Sequence, residues 1–337
     1  MVDPGRRCIP RWGDAAVAPR NTPWGYSVHQ SMTRPGLVVS SLIATLGLAA
    51  GASSATPTEP QIVFATGTTG PQARNTDIFV RDADATVRQL TKTRWSEGSP
   101  SWSPDRTKIV YVSSRNGDAD IFVMNADGTG QRRLAGSKKG PQDQYPAWSP
   151  DGKLIAFASN RHGEEDIYVM RADGTGLRQL TKNAVWIEDQ QPRFSPDSRF
   201  IVFSSNRVAF SNPELYRMRV SDGGGLVRLT HWGSGGDLSP GDDLMGDYSP
   251  DGRRIAFVSD RSGGYAVWTM NVNGTGLRRL VGHRGKNVAF PRWSPDGTTI
   301  LYTSFDATGR KNDFRLHAIR ADGKSPRVVR AGSEADW

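Results

Sequence analysis

Tyr145-Pro-Ala-Trp-Ser-Pro-Asp-Gly-Lys-Leu-Ile-Ala-Phe-Ala-Ser-Asn-Arg161, followed by Asp166-Ile-Tyr-Val-Met-Arg-Ala-Asp-Gly-Thr-Gly-Leu-Arg-Gln-Leu-Thr181, contains four short apolar stretches separated by turn residues. Ser149-Pro150-Asp151-Gly152 has the chemistry of a tight turn: proline presets one dihedral, aspartate bonds nearby backbone, and glycine accepts a positive φ. Ile155-Ala-Phe-Ala is a near-continuous apolar run, which fits a strand packed on both faces. Ile167 to Met170 reads as a third strand, and Ala172-Asp173-Gly174 turns the chain into a fourth, Leu177 to Leu180.

The unit recurs. Its aromatic residue stands at Trp102, Trp148, Phe194, Tyr248, Trp293 and Trp337, at intervals of 46, 46, 54, 45 and 44 residues. A period of this length is that of one four-stranded propeller blade. Before the first full copy stand Ile62-Val-Phe, Ile78-Phe-Val and Val87 to Leu90, which supply strands two to four of a unit that lacks strand one. Residues after Ser333 supply that strand. The expected fold is therefore all-β: a six-bladed β-propeller of four-stranded antiparallel blades, its ring closed by pairing of the N- and C-terminal strands in one composite blade. Arg106 and Ser198 stand where the other copies carry the turn glycine. The fourth unit contains an insertion from Val208 to Pro213, and the loop from His231 to Asp247 is extended.

On these residues the chain resembles the TolB-type (WD-repeat-like) β-propeller repeat family, over roughly residues 60–337. The resemblance implies a six-bladed propeller. In the family's periplasmic members it also implies binding of a peptidoglycan-associated lipoprotein and other envelope partners. Those members carry an N-terminal α/β domain, which is not expected in this chain.

Composition bounds the function classes. The 337 residues include 37 Gly and 21 Pro, as many short strands and turns require, and the formal net charge is +9. Lys and Arg are scattered through the repeats instead of forming the concentrated stripe of a nucleic-acid binder. The single cysteine, Cys8, lies outside the repeats, so neither a disulfide nor a thiolate metal site is available to them.

Met32-Thr33-Arg34, the apolar run Leu37 to Ala50 and the small residues Gly51 to Ala55 have the three parts of a signal peptide, with cleavage after Ala52 or Ala55. The apolar run is too short for a span, which needs about 20 residues. The expected organisation is a disordered or non-native extension over 1–31, a signal peptide over 32–55 and a propeller over 56–337. Export to the periplasm or the extracellular space follows, with no stable transmembrane span after cleavage and a monomeric product.

Candidate site residues come from the loops ahead of each first strand. Glu97, Asp143, Asp189 and Asp243 lie five residues before the repeated aromatic, where the last two copies have Val288 and Gly332. This column is expected to ring one mouth of the channel. It is a candidate site for Ca²⁺ held by oxygens or for a basic segment of a partner. The competing reading is a solvated rim of loop carboxylates. The same loops carry Trp95, Trp186 and Trp232, candidates for stacking on sugar or anchoring a protein, or else for packing between blades. Arg115, Arg161, Arg207 and Arg261 end their second strands, and Asp120 and Asp166 open the next. These are read as ties between neighbouring strands, because a catalytic group should break the repeat symmetry. The histidines show no ligand spacing, and no cofactor is required.

The leading expectation is a non-enzymatic binding scaffold that uses the channel-mouth loops to hold an envelope protein or a cell-wall component. The alternative is a lyase or glycosidase acting on polysaccharide through the mouth carboxylates, since two carboxylates suffice for glycoside hydrolysis. A third is a regulatory propeller of the kind that gates prolyl oligopeptidases.

Overall fold

The computed structural model describes residues 60–67, 75–136, 140–208, 212–231, 241–306 and 313–337. The segments 1–31 and 32–55 lie outside the described residues.

Each repeat unit forms one antiparallel four-stranded sheet, and the described residues form six of them. Blade one comprises Glu97–Trp102, Lys108–Ser113, Asp120–Asn125 and Arg132–Ala135. Blade two comprises Asp143–Trp148, Leu154–Ser159, Asp166–Arg171 and Arg178–Gln179. Blade three runs from Asp189–Phe194 to Val227–Arg228, blade four from Asp243–Tyr248 to Arg278–Gly282, and blade five from Lys286–Trp293 to Arg327–Ala331. Blade six is composite. Ser333–Asp336 is its first strand and pairs antiparallel with Ile62–Gly67, followed by Thr76–Arg81 and Val87–Gln89.

The turn chemistry is as the repeat implies. In blade two, Ser149 Oγ donates to Asp151 Oδ1 at 2.6 Å, Asp151 Oδ1 accepts from Lys153 N–H, and Gly152 takes a φ of 72°. The same serine–aspartate bond closes the other four full copies. Arg106 and Ser198 take the glycine's left-handed conformation, at φ 61° and 59°.

Alternation along the strands glues one blade to the next. Val110 and Ile121 face blade two, where they meet Ile155, Phe157 and Tyr168. Ile109 and Tyr111 face blade six, where they meet Val63, Ile78 and Val80. All of these are essentially fully buried. Trp337 is buried between blades five and six, and its indole N–H donates to the Arg292 carbonyl at 3.0 Å. Among the described residues no helix is long and apolar enough to cross a membrane.

Candidate functional site

Two kinds of loop share one face of the ring: those joining strands two and three within a blade, and those joining strand four to the next blade's first strand. The expected carboxylate column begins each first strand on this face. Antiparallel pairing sets Glu97, Asp143, Asp189 and Asp243 opposite Ser113, Ser159, Ser205 and Ser259 at the ends of the second strands. Two residues beyond each serine stands an arginine, and it folds back on the acid. Arg161 Nη2 meets Asp143 at 2.8 and 2.9 Å, Arg207 meets Asp189 at 2.9 and 2.7 Å, and Arg261 meets Asp243 at 2.7 and 2.6 Å. Arg115 meets Glu97 at 2.5 Å. Each arginine Nε also donates to its serine hydroxyl at 2.9 Å. Each guanidinium lies over a third-strand ring: Phe122, Tyr168, Tyr216 or Trp268.

The four carboxylates are buried, not solvated. Burial raises the Asp143 and Asp243 carboxyls from their ordinary range, against the pull of the arginines. One carboxylate per blade, each held by its own guanidinium, is not a donor set that fits Ca²⁺. Among the described residues no group of three or more His, Cys, Asp or Glu is arranged to hold a metal ion. The arginines therefore tie strand two to strand one, not to the third-strand acids. Asp166 instead accepts from Thr181 Oγ1, Gln179 Nε2 and Asn183 N–H, fixing strand four and the loop that leaves the blade. Asp77 does the same with Thr91, Gln89 and Thr93.

The channel is built by residues that the sequence reading passed over. Two residues after the acid column, every first strand bulges. The bulge residues Ser99, Tyr145, Gln191, Met245, Phe290 and Glu334 all have φ between 48° and 60°. The pairing register slips at each of these points. A bulge re-aims its side chain, and the six converge on one cavity of about 20 Å³, room for roughly one water molecule. Below them lie Arg193, Asp247, Arg292 and Asp336. Asp247 Oδ2 accepts from Trp293 N–H at 2.8 Å and Asp336 Oδ2 from Trp102 N–H at 3.0 Å, so each carboxylate fastens its blade to the next. Burial and the neighbouring Arg193 push the Arg292 guanidinium down to about 10. The sequence signal was Pro100, Pro146, Pro192 and Pro291, just after four of the bulges. Proline lacks the ladder N–H and is tolerated in a sheet at such a place.

Blade five departs from the pattern. Val288 replaces the acid and Asp306 the arginine, while His317 occupies the third-strand ring position. His283, distant in sequence, comes within 4.8 Å of His317 between ring centres. His317 Nε2 and Ser304 Oγ are 2.8 Å apart, and His283 Nε2 lies 3.0 Å from the Tyr302 hydroxyl. Burial first, then His283 and Lys286, lowers His317 to about 4.

The tryptophans differ in fate. Trp95 is partly buried and covered by Arg94, whose guanidinium carbon sits 4.6 Å from the ring centre. Trp186 is 71% exposed, beside Val185 at 65%, and its backbone is left-handed, φ 74°. Trp232 lies outside the described residues.

Comparison with known proteins agrees with this architecture. The family model for the TolB beta propeller domain matches residues 61–245. An uncharacterized protein of Agrobacterium fabrum is 35% identical over 114 residues, 33% of this chain and 36% of that protein. A protein TolB homolog of Chlorobium luteolum is 43% identical over 58 residues, 17% of this chain and 13% of that protein. The chain thus spans about a third of the length of the first relative and less of the second. The crystal structure of TolB from Acinetobacter baumannii superposes with a TM-score of 0.68 at 24% identity, over 84% of this chain and 67% of that one.

Proposed function

The chain belongs to the TolB beta propeller family, and from that premise we propose that it is an exported binding scaffold of the cell envelope, holding a protein partner on its channel-mouth loops. One observation carries the reading: Trp186 stands 71% exposed on that face, beside Val185 at 65%. A large aromatic held in the open is the residue type that anchors protein interfaces. Export rests on the Met32 to Ala55 segment of the sequence.

Cleavage of polysaccharide draws no support from the column of carboxylates, because each is occupied by an arginine. A general acid and a nucleophile need two carboxyls in unlike environments facing a shared pocket.

The test is crosslinking in an envelope fraction, with purified wild type, Trp186→Ala and Trp95→Ala compared. Trp186→Ala should lose a defined crosslinked partner that Trp95→Ala keeps. Identical crosslinks from all three proteins would overturn the reading.

A further inference from the structure

We propose that the sector of the mouth face between blades two and three binds a cationic, extended segment of a partner protein, with an apolar side chain of that segment against Trp186 and its lysines or arginines against Glu164, Glu165 and Glu188. This rests on the scaffold reading and specifies the partner's chemistry.

The anchor is pre-shaped. The Trp186 carbonyl accepts from Asn206 Nδ2 at 3.1 Å, the Glu188 N–H donates to Asn206 Oδ1 at 2.8 Å, and Ile187 N–H closes a turn onto the Ala184 carbonyl at 3.1 Å. A left-handed backbone at a bulky residue costs about 1–3 kcal/mol and persists only where its surroundings impose it. Here the strain presents the indole outward. Val185, 65% exposed, extends the apolar patch of Trp186, and Val208, two residues beyond Asn206, is 61% exposed as well. A rigid aromatic loses little entropy on binding.

The charge around the patch is one-sided. The Glu165 carbonyl accepts from Asp189 N–H and Asn183 Nδ2, which places Glu165 beside the Trp186 loop. Burial, then the charge of Glu188, raises Glu165 to about 7. Burial, then Glu164, raises Glu188. Glu165 Oε2 is buried with no hydrogen-bond partner. Among the described residues no cation forms an ion pair with any of the three, and Lys182, in the same loop, forms none with them. The nearby arginines, Arg161 and Arg207, are already committed to Asp143 and Asp189. Every carboxylate of the repeated column has its guanidinium, whereas these three have none. Like charges held together without a counter-charge are relieved by a bound cation. An anionic wall polymer would meet repulsion, and a neutral sugar would leave the charge unrelieved.

The test uses the full purified protein and fluorescence anisotropy. The probes are a labelled ten-residue peptide of alternating Lys and Leu, the same peptide with Glu for Lys, and a soluble N-acetylglucosamine oligomer. Only the Lys-Leu peptide should bind. Its affinity should fall about tenfold in Trp186→Ala and again in Glu164→Gln/Glu188→Gln, and it should weaken as salt rises. Trp95→Ala should bind as wild type does, and unchanged melting temperatures identify variants that remain folded. Equal binding of both peptides, binding indifferent to both variants, or binding of the sugar alone would overturn the proposal. Sugar binding through Trp186 would leave the scaffold reading standing, and Trp186-independent crosslinking would remove both.

Discussion

At the scale of the residue, the arginine–acid tie is the most consequential contact. Asp143 is fully buried, and Arg161 is its counter-charge. Removing one partner of a buried pair leaves an uncompensated charge, at a cost of about 3–5 kcal/mol, whereas replacing both with apolar groups is often neutral. Arg161→Met should therefore destabilise by about 3 kcal/mol in urea unfolding, and Asp143→Val/Arg161→Met should recover most of it. Blade five lacks the tie, with Val288 and Asp306 at the corresponding positions. A double variant no more stable than the single one would show that the tie is not the reason. The sequence displayed both columns, but the acids and arginines stand 18 residues apart. Asp143 meets Arg161 only because antiparallel pairing sets Asp143 opposite Ser159. Without that pairing, Asp166, five residues past Arg161, was the more natural partner.

At the scale of the element, the short last strand has a disproportionate role. Glu334 Oε2 accepts from Ser99 N–H at 2.5 Å, Asp336 from Trp102 N–H, and Trp337 donates to Arg292, so three residues reach both neighbouring blades. Deleting 333–337 removes a buried tryptophan and the pairing of Ile62–Gly67 as well. The loss should be about 4 kcal/mol or more, a fall in melting temperature on the order of 10 °C. An unchanged melting temperature would mean that the ring does not depend on this closure. The composite blade was legible because Trp337 falls on the repeat and Ile62-Val-Phe reads as a second strand with no first. The bulges were not: Tyr145, Met245 and Phe290 are residues that φ/ψ propensities would not place in a left-handed conformation. Convergence on the axis imposes it.

At the scale of the whole molecule, closure makes the choice of composite blade incidental. Asp336 pairs with Val63, so Trp337 and Gln61 stand where every other blade has its Ser-Pro-Asp turn. A permutant joining them through Ser-Pro-Asp-Gly-Lys, with new ends between Pro104 and Asp105, moves the composite blade from six to one. It should fold with a melting temperature within about 5 °C of residues 61–337 in their natural order, as permutation at adjoining ends usually permits. A collapse in stability would show that the position of closure matters. The ring also explains why the faces differ. Four blades neutralise their own buried acid with their own arginine, and the sector around Trp186 holds three carboxylates with no such partner.

The sequence by itself determined the blade, the number of blades and the strand that closes the ring, because turn chemistry and strand alternation are complete within one repeat unit. Tertiary structure alone decided that the acid column is buried under arginines, that six bulge residues line one small cavity, and that Trp186 stands out while Trp95 is covered. Those outcomes depend on contacts between blades. Ser99 and Glu334, 235 residues apart, become neighbours only when the ring is shut.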